Sequence, residues 1–303
     1  MLVGLGLTED YPEANLLHYT FMLEGLLETQ ASLSEQGIKM VIQHGSPFDV
    51  ASTLGRNTSL IVCDRGYLRH QKTWRTQLAR SASCGVVQVE SDVVVPIEVL
   101  PKKAEYAART IRPKIYQHLN DYLGPFKSTT VKESSLGLKI KGMGIKEPRA
   151  ILEKWSVDRS ISPVTQFFKG GTSQGKATFD EFINGRLCRY VENRNQPQTD
   201  DISHMSPYLH FGHLYPLYLA LQIGGVDKCL LEARDAYLEE LIVRRELAMN
   251  FVNYALNYDS YPCIPQWAIK TLKQHQKDQR EYTYSRGQLE NAETHDEYWN
   301  AAM

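Results

Sequence analysis

The sequence predicts an α/β domain followed by an all-helical domain. Three observations carry this reading. Short apolar runs alternate with helical periodicity from Leu2 to about Val95, the strand signals then stop, and every long periodic segment from Arg149 onward is helical.

Leu2 to Leu7 is apolar, holds two glycines and runs into Thr8-Glu-Asp-Tyr-Pro, the pattern of a strand entering a turn. Leu16, Leu17, Thr20, Phe21, Leu23, Leu27 and Ala31 then recur at helical spacing, with Gly37 placed to end the helix. Ile38 to Ile42 reads as a strand, Pro47 to Leu54 as a helix, Leu60 to Cys63 as a buried strand, Gln71 to Arg80 as a helix and Gly85 to Val89 as a strand. Such alternation implies a parallel sheet covered on both faces. Ala104 to Leu123 is helical and charged, and completes a first domain at 1–123. The Lys-, Ser- and Gly-rich stretch 124–148 lacks periodicity and reads as a linker. Within the second domain, 149–303, helices are expected at Phe179 to Tyr190, Ser206 to Gln222, Arg234 to Tyr254 and Gln266 to Gln274.

At 303 residues and 42% hydrophobic content the chain can bury two cores. Its net charge of -1 excludes nucleic-acid binding through a global basic field, though not through a local groove. Cys63, Cys84, Cys188, Cys229 and Cys263 are odd in number and form no CxxC pair, against a zinc site or a disulfide framework. No apolar run reaches membrane-span length and no secretory leader is apparent, so a reduced, cytoplasmic location is expected, with no membrane partner.

Several motifs have plain readings. Gly4-Leu-Gly6 lacks the third glycine of a dinucleotide loop, because Glu9 stands there. Gly170-Gly-Thr-Ser-Gln-Gly175-Lys176 has the spacing of a phosphate-binding loop, but Ala177 replaces the magnesium-binding hydroxyl and the residues before it make a poor strand; a flexible loop is expected. Ser206 followed by Pro207 reads as a helix N-cap with proline in the first turn, where free N–H groups and the helix dipole can also hold a phosphate. Glu240 and Arg244 are spaced to pair along a helix, which alone amounts to a solvated ion pair. Trp299, near the chain end, reads first as a packing residue.

Taken together, longer strings carry a resemblance. They include Tyr19-Thr-Phe-Met-Leu-Glu-Gly-Leu26, Glu105-Tyr-Ala-Ala-Arg-Thr-Ile-Arg-Pro-Lys114, Arg194-Asn-Gln-Pro197, Ser206-Pro-Tyr-Leu-His-Phe-Gly212 and Glu239-Glu-Leu-Ile-Val-Arg-Arg-Glu-Leu247. Asn250-Phe251, Asn257-Tyr-Asp259, Pro265-Gln-Trp-Ala-Ile-Lys-Thr-Leu272 and His295-Asp-Glu-Tyr-Trp-Asn-Ala301 extend it. In order and spacing they resemble the class II cyclobutane pyrimidine dimer photolyases over nearly the whole chain.

The resemblance implies a Rossmann-like, antenna-type α/β domain lacking its first strand, then an all-helical FAD-binding domain lacking its C-terminal part. It implies light-driven electron transfer from reduced FAD to a pyrimidine dimer extruded from UV-damaged DNA, with the antenna a deazaflavin-type pigment or another chromophore. Tyr190, Ser203, Met205 and Ser206 match positions lining the FAD phosphates and ribityl chain, and Arg194 and Asn195 match a pair near flavin and lesion. Glu240 matches the carboxyl group that hydrogen-bonds the dimer, Arg244 stands where some members carry a tryptophan against it, and Trp299 matches a member of the relay that photoreduces FAD. Met249 and Met205 depart from the usual acidic residue and leucine at their positions. The expected partners are damaged DNA and, if the gene is split, a complementary C-terminal piece. The alternatives are a cryptochrome-like flavoprotein that binds without repair, opposed by Glu240; an inactive fragment; and a nucleotidase, opposed by Ala177.

Overall fold

The computed structural model describes residues 1–125, 127, 129–227 and 230–303. Cys229 therefore lies outside the described residues, as do two positions of the expected linker, while Cys63, Cys84, Cys188 and Cys263 are free thiols. The chain forms two compact units, Met1–Tyr254 and Ala255–Met303.

The first unit opens with β1 (Leu2–Leu7), α1 (Leu16–Glu35), β2 (Lys39–His44), α2 (Pro47–Gly55), β3 (Leu60–Asp64), α3 (Arg69–Ser81) and β4 (Gly85–Val89), the expected α/β alternation. Helix α1 starts at a reciprocal cap between Asn15 and His18 and ends at Gly37, whose φ of 76° is the left-handed conformation expected of a helix stop. It is buried on two sides. Tyr19 and Leu23 join Leu7, Ile42, Ile145 and Leu152 in the core beside the sheet, whereas Phe21 joins the larger helical core. Gly6 serves close packing rather than a cofactor loop, since a Cβ there would lie 2.6 Å from Pro47 Cα at the start of α2.

The strands form two separate parallel pairs, β1–β2 and β3–β4, in place of one sheet. β3 is not the buried strand its apolar run predicts. Leu60, Val62, Val87 and Val89 are all exposed, because Val62 pairs with Val87 and the period-two alternation brings these side chains to one uncovered face. Residues 135–143 of the expected linker run beside β2: Ser135 Oγ accepts from Lys39 N at 2.8 Å, and Met143 N donates to Ile42 O at 2.7 Å.

Helix α4 (Ala108–Tyr122) buries Ala108, Ile111 and Ile115 in the helical core with Phe179, Phe182, Tyr208, Leu219 and Tyr237. After α5 (Pro148–Leu152), helix α6 (Thr172–Glu181) runs through a wide π turn at Phe182–Arg186 and a 3-10 turn into α7 (Tyr190–Asn193). The predicted helix from Ser206 to Gln222 is two helices, α8 (Ser206–His210) and α9 (Pro216–Gly224), because Gly212 adopts φ 67° and Pro216 restarts the chain. α10 (Leu231–Leu238) continues through a second π turn, Glu239–Arg244, into α11 (Arg245–Tyr254).

One face of α11 is fastened to the segment that follows β4. Glu246 Oε1 accepts from Val94 N at 2.8 Å and Val95 N at 2.9 Å, Arg245 binds Asp92 at 2.9 Å, and Asn250 accepts from Glu105 N at 2.7 Å while donating to Lys103 O. The second unit consists of a short 3-10 turn, α12 (Gln266–Gln274), α13 (Arg286–Glu290) and α14 (Glu297–Ala302). No helix among the described residues is long and apolar enough to cross a membrane.

Candidate functional site

Four of the residues singled out from sequence converge around Tyr237. That side chain is fully packed between Phe179, Phe182 and Tyr190, and burial pushes its phenol well above the usual range. Its hydroxyl donates to Ser203 Oγ at 3.3 Å, and the same oxygen accepts from Met205 N at 3.4 Å, so the Ser203 proton remains available for another acceptor. Tyr190 meets Tyr237 edge-on with centroids 5.6 Å apart, its own hydroxyl raised by burial against the opposing pull of Arg194. The Arg194 guanidinium lies 5.7 Å from the Tyr190 ring centroid and donates to Glu240 Oε1 at 3.0 Å. Tyr190, Arg194, Ser203 and Glu240 thus form one contact chain.

The π turn decides how the acidic pair is used. Sequence spacing predicts Glu240 with Arg244, but a π turn brings residues five apart into line. Arg244 accordingly faces Glu239, at 3.7 Å, and Glu240 is left to Arg194. Glu239 is itself held by a two-point contact from Arg112 of α4, at 2.9 and 2.6 Å. Arg244 remains more than half exposed.

The remaining predicted residues are placed as follows. Met205 is buried and precedes α8 without a side-chain cap. Ser206 is the first residue of that five-residue helix and exposed, not the N-cap its Ser-Pro sequence predicts, because His204 turns the chain through φ 57° and brings Met205 to the cap position. Asn195 is exposed at the tip of the loop after α7. Trp299 lies in the second unit, half-exposed, with its indole N–H donating to Leu289 O at 3.1 Å.

The glycine-rich stretch at 170–176 is neither a phosphate loop nor a flexible one. Helix α6 begins inside it, at Thr172, and carboxylates of α1 occupy its start: Glu24 accepts from Gly170 N at 2.7 Å and Glu28 from Ser173 N at 2.9 Å. The helix-terminal donors that would bind a phosphate are thus satisfied internally. Gly170 allows the approach, since a Cβ there would sit 2.0 Å from Phe21 O.

Sequence reading missed Asp201, Arg189 and Asn193, which lock the loop carrying Arg194, and Glu246 and Asn250, which anchor α11. The second pair leaves a trace: a glutamate and an asparagine four apart, both facing inward. The first leaves none. Among the described residues, no group of three or more His, Cys, Asp or Glu is arranged to hold a metal.

Residues 7–133 match the DNA photolyase family model. Over its full length the chain is 42% identical to a deoxyribodipyrimidine photo-lyase of Methanothermobacter thermautotrophicus, covering 66% of that protein. It is 35% identical to that of Potorous tridactylus, over 96% of the chain and 54% of the relative. The chain thus spans just under two thirds of the first relative's length and about half of the second's. Two solved structures share the fold. A class III photolyase from Agrobacterium tumefaciens superposes with a TM-score of 0.64 at 16% identity, covering 83% of this chain and 53% of that one. A Synechocystis cryptochrome gives a TM-score of 0.65 at 15% identity, covering 83% and 55%. The α/β-then-helical architecture, the family match at residues 7–133 and relatives aligned along the whole chain make this protein similar to the DNA photolyases, with the fold of the photolyases and cryptochromes.

Proposed function

We propose that this chain is a class II cyclobutane pyrimidine dimer photolyase polypeptide that repairs UV-damaged DNA in a light-dependent reaction with FAD. The observation that carries this reading is the contact chain Ser203–Tyr237–Tyr190–Arg194–Glu240, in which a hydroxyl donor and a buried aromatic wall lead outward to a half-exposed cation and carboxylate.

That donor set suits FAD. The Ser203 and Ser206 hydroxyls would hold its phosphates and ribityl chain, with Tyr190 and Met205 excluding water behind them, and Arg194 would stand near the flavin where it meets the lesion. When bound and reduced, FAD supplies the photoexcited electron that splits the dimer. The chain's own residues bind and orient. Glu240, aimed by Arg194, accepts hydrogen bonds from the extruded base pair; Asn195 and Arg244, both exposed, reach the DNA; Trp299 conducts electrons toward the cofactor. None of these roles needs a protein acid, base or metal.

We place an antenna pigment, a deazaflavin or another chromophore, outside the carboxyl ends of the strands, where ligands gather in open α/β sheets. Tyr11, His70 and Trp74 form an aromatic cluster there, with the Tyr67 hydroxyl and His70 Nε2 buried and lacking hydrogen-bond partners.

The test is purification of the chain with FAD, visible absorption, and illumination with a dimer-containing oligonucleotide. Retained flavin with loss of dimers is expected, and Glu240→Gln is expected to lower dimer affinity by about tenfold. Flavin retained without repair overturns the enzymatic assignment; absence of both overturns the reading altogether.

A further inference from the structure

We infer that Asp201 is a positioning residue: with Arg189 and Asn193 it closes the loop between α7 and α8 and so holds Arg194 on Glu240. This rests on the proposed role of Arg194 and Glu240 in recognising the lesion.

Asp201 is unusual for its surroundings. The loop is open to solvent at Asn195, Gln196, Pro197, Gln198, Asp200 and Ile202, yet Asp201 is only 6% exposed. A carboxylate withdrawn from water must be matched by donors, and here the match is complete. Oδ1 accepts from Arg189 Nε at 3.0 Å and Nη2 at 2.6 Å, while Oδ2 accepts from Arg189 Nε at 3.1 Å and Asn193 Nδ2 at 2.6 Å. The Arg189 contact is two-pronged, the geometry that fixes direction as well as distance.

The partners lie on the opposite limb of the loop. Arg189 precedes α7 and Asn193 ends it, twelve and eight residues before Asp201. One carboxylate therefore ties the entering limb to the leaving limb. Thr199 adds a second closure, donating its hydroxyl to Asn193 O at 3.2 Å and Gln196 O at 2.9 Å. Arg194 follows Asn193 directly, and Ser203 follows Asp201 by two residues. Both site residues are thus suspended from the ends of the clamp. Asp201 touches neither, and acts through Arg189 and Asn193.

The chain can be tested as it stands, by hydrogen exchange and by binding to duplexes with and without a thymine dimer. In Asp201→Ala, the amides of Arg194, Gln196 and Thr199, bonded to Tyr190 O, Asn193 O and Gln196 O in the native loop, are expected to exchange at least about tenfold faster. Those of α6 and α11 stay as in the parent. Preference for the dimer duplex falls about tenfold, and adding Glu240→Gln causes no further loss, because both changes remove the same Arg194–Glu240 arrangement. Arg189→Lys, which keeps the charge but loses the fork, moves both readouts in the same direction and guards against simple misfolding of the alanine variant. Unchanged loop exchange, or losses that add independently with Glu240→Gln, overturn the inference. If the parent chain shows no preference for the dimer, the proposed function fails, and the exchange measurement by itself then upholds or overturns the clamp.

Discussion

Replacing Glu246 by glutamine is expected to remove most of the loss of stability that this protein suffers as pH rises from 4.5 to about 8. Glu246 is almost wholly buried on α11, and desolvation raises its pKa from 4.5 to about 8 against the opposing pull of hydrogen bonds from Val95 and Val94. Its second oxygen, Oε2, is buried with no partner, a suitable place for a retained proton. In the unfolded chain the carboxyl ionises near 4.5, whereas in the folded protein it holds its proton to about 8. Between these values the folded state binds more protons, so stability is complete below pH 4.5, falls through the interval and levels off above pH 8. At 1.36 kcal/mol for each unit, the loss is of the order of about 3 kcal/mol by neutral pH and about 4–5 kcal/mol at the plateau. Glutamine keeps an oxygen for the Val94 and Val95 amides and has no charge to bury. Denaturant unfolding followed by the fluorescence of Trp74 and Trp155, across this pH range, is the assay. Wild type should weaken steeply and Glu246→Gln much less; a residual slope belongs to Glu90 and Asp92, which burial also raises. Parallel curves for the two proteins would refute the claim that a proton resides on Glu246.

Two further outcomes follow from packing. Gly170→Ala places a methyl group 2.0 Å from the Phe21 carbonyl, an atom fixed in α1, and is expected to lower unfolding free energy by about 1–3 kcal/mol in a denaturant titration. Val62→Lys alters a side chain that is 59% exposed on the open face of β3–β4, so the unfolding free energy is expected to stay within about 0.5 kcal/mol in the same titration.

Much of the architecture was legible because it depends on local pattern. The run Gly85 to Val89 is a strand over the predicted residues, and Gly37 ends α1 where its lack of a Cβ makes it the natural stop. What escaped prediction depends on contacts distant in sequence. Leu60 and Val62 are as apolar as any interior strand, and only the pairing of β3 with β4, whose Leu60–Val62–Val87–Val89 face no described residue covers, shows that this face is open. The phosphate-loop spacing at 170–176 was correctly set aside, but its true use required Glu24 and Glu28, nearly 150 residues earlier in the chain. Resemblance named Arg194 with Asn195 and Glu240 apart from them; no periodicity could have joined Glu240, in a π turn, to the residue that caps α7 46 positions earlier.

That π turn explains why one helix can serve two purposes at once. An extra residue in a turn advances everything downstream around the helix axis, so the faces before and after Glu239–Arg244 need not share one apolar stripe. Upstream, Tyr237 points into the aromatic core and reaches Ser203. Within the turn, Glu239 and Glu240, adjacent in sequence, are drawn to Arg112 and Arg194 respectively. Downstream, Arg245, Glu246 and Asn250 fasten α11 to the backbone after β4. A regular helix would keep Glu240 and Arg244 on one face, one turn apart and free to pair. The wide turn gives Arg244 to Glu239 and leaves Glu240 for Arg194, and it is this redistribution, more than the identity of the residues, that turns an ordinary surface ion pair into the carboxylate of a candidate lesion site.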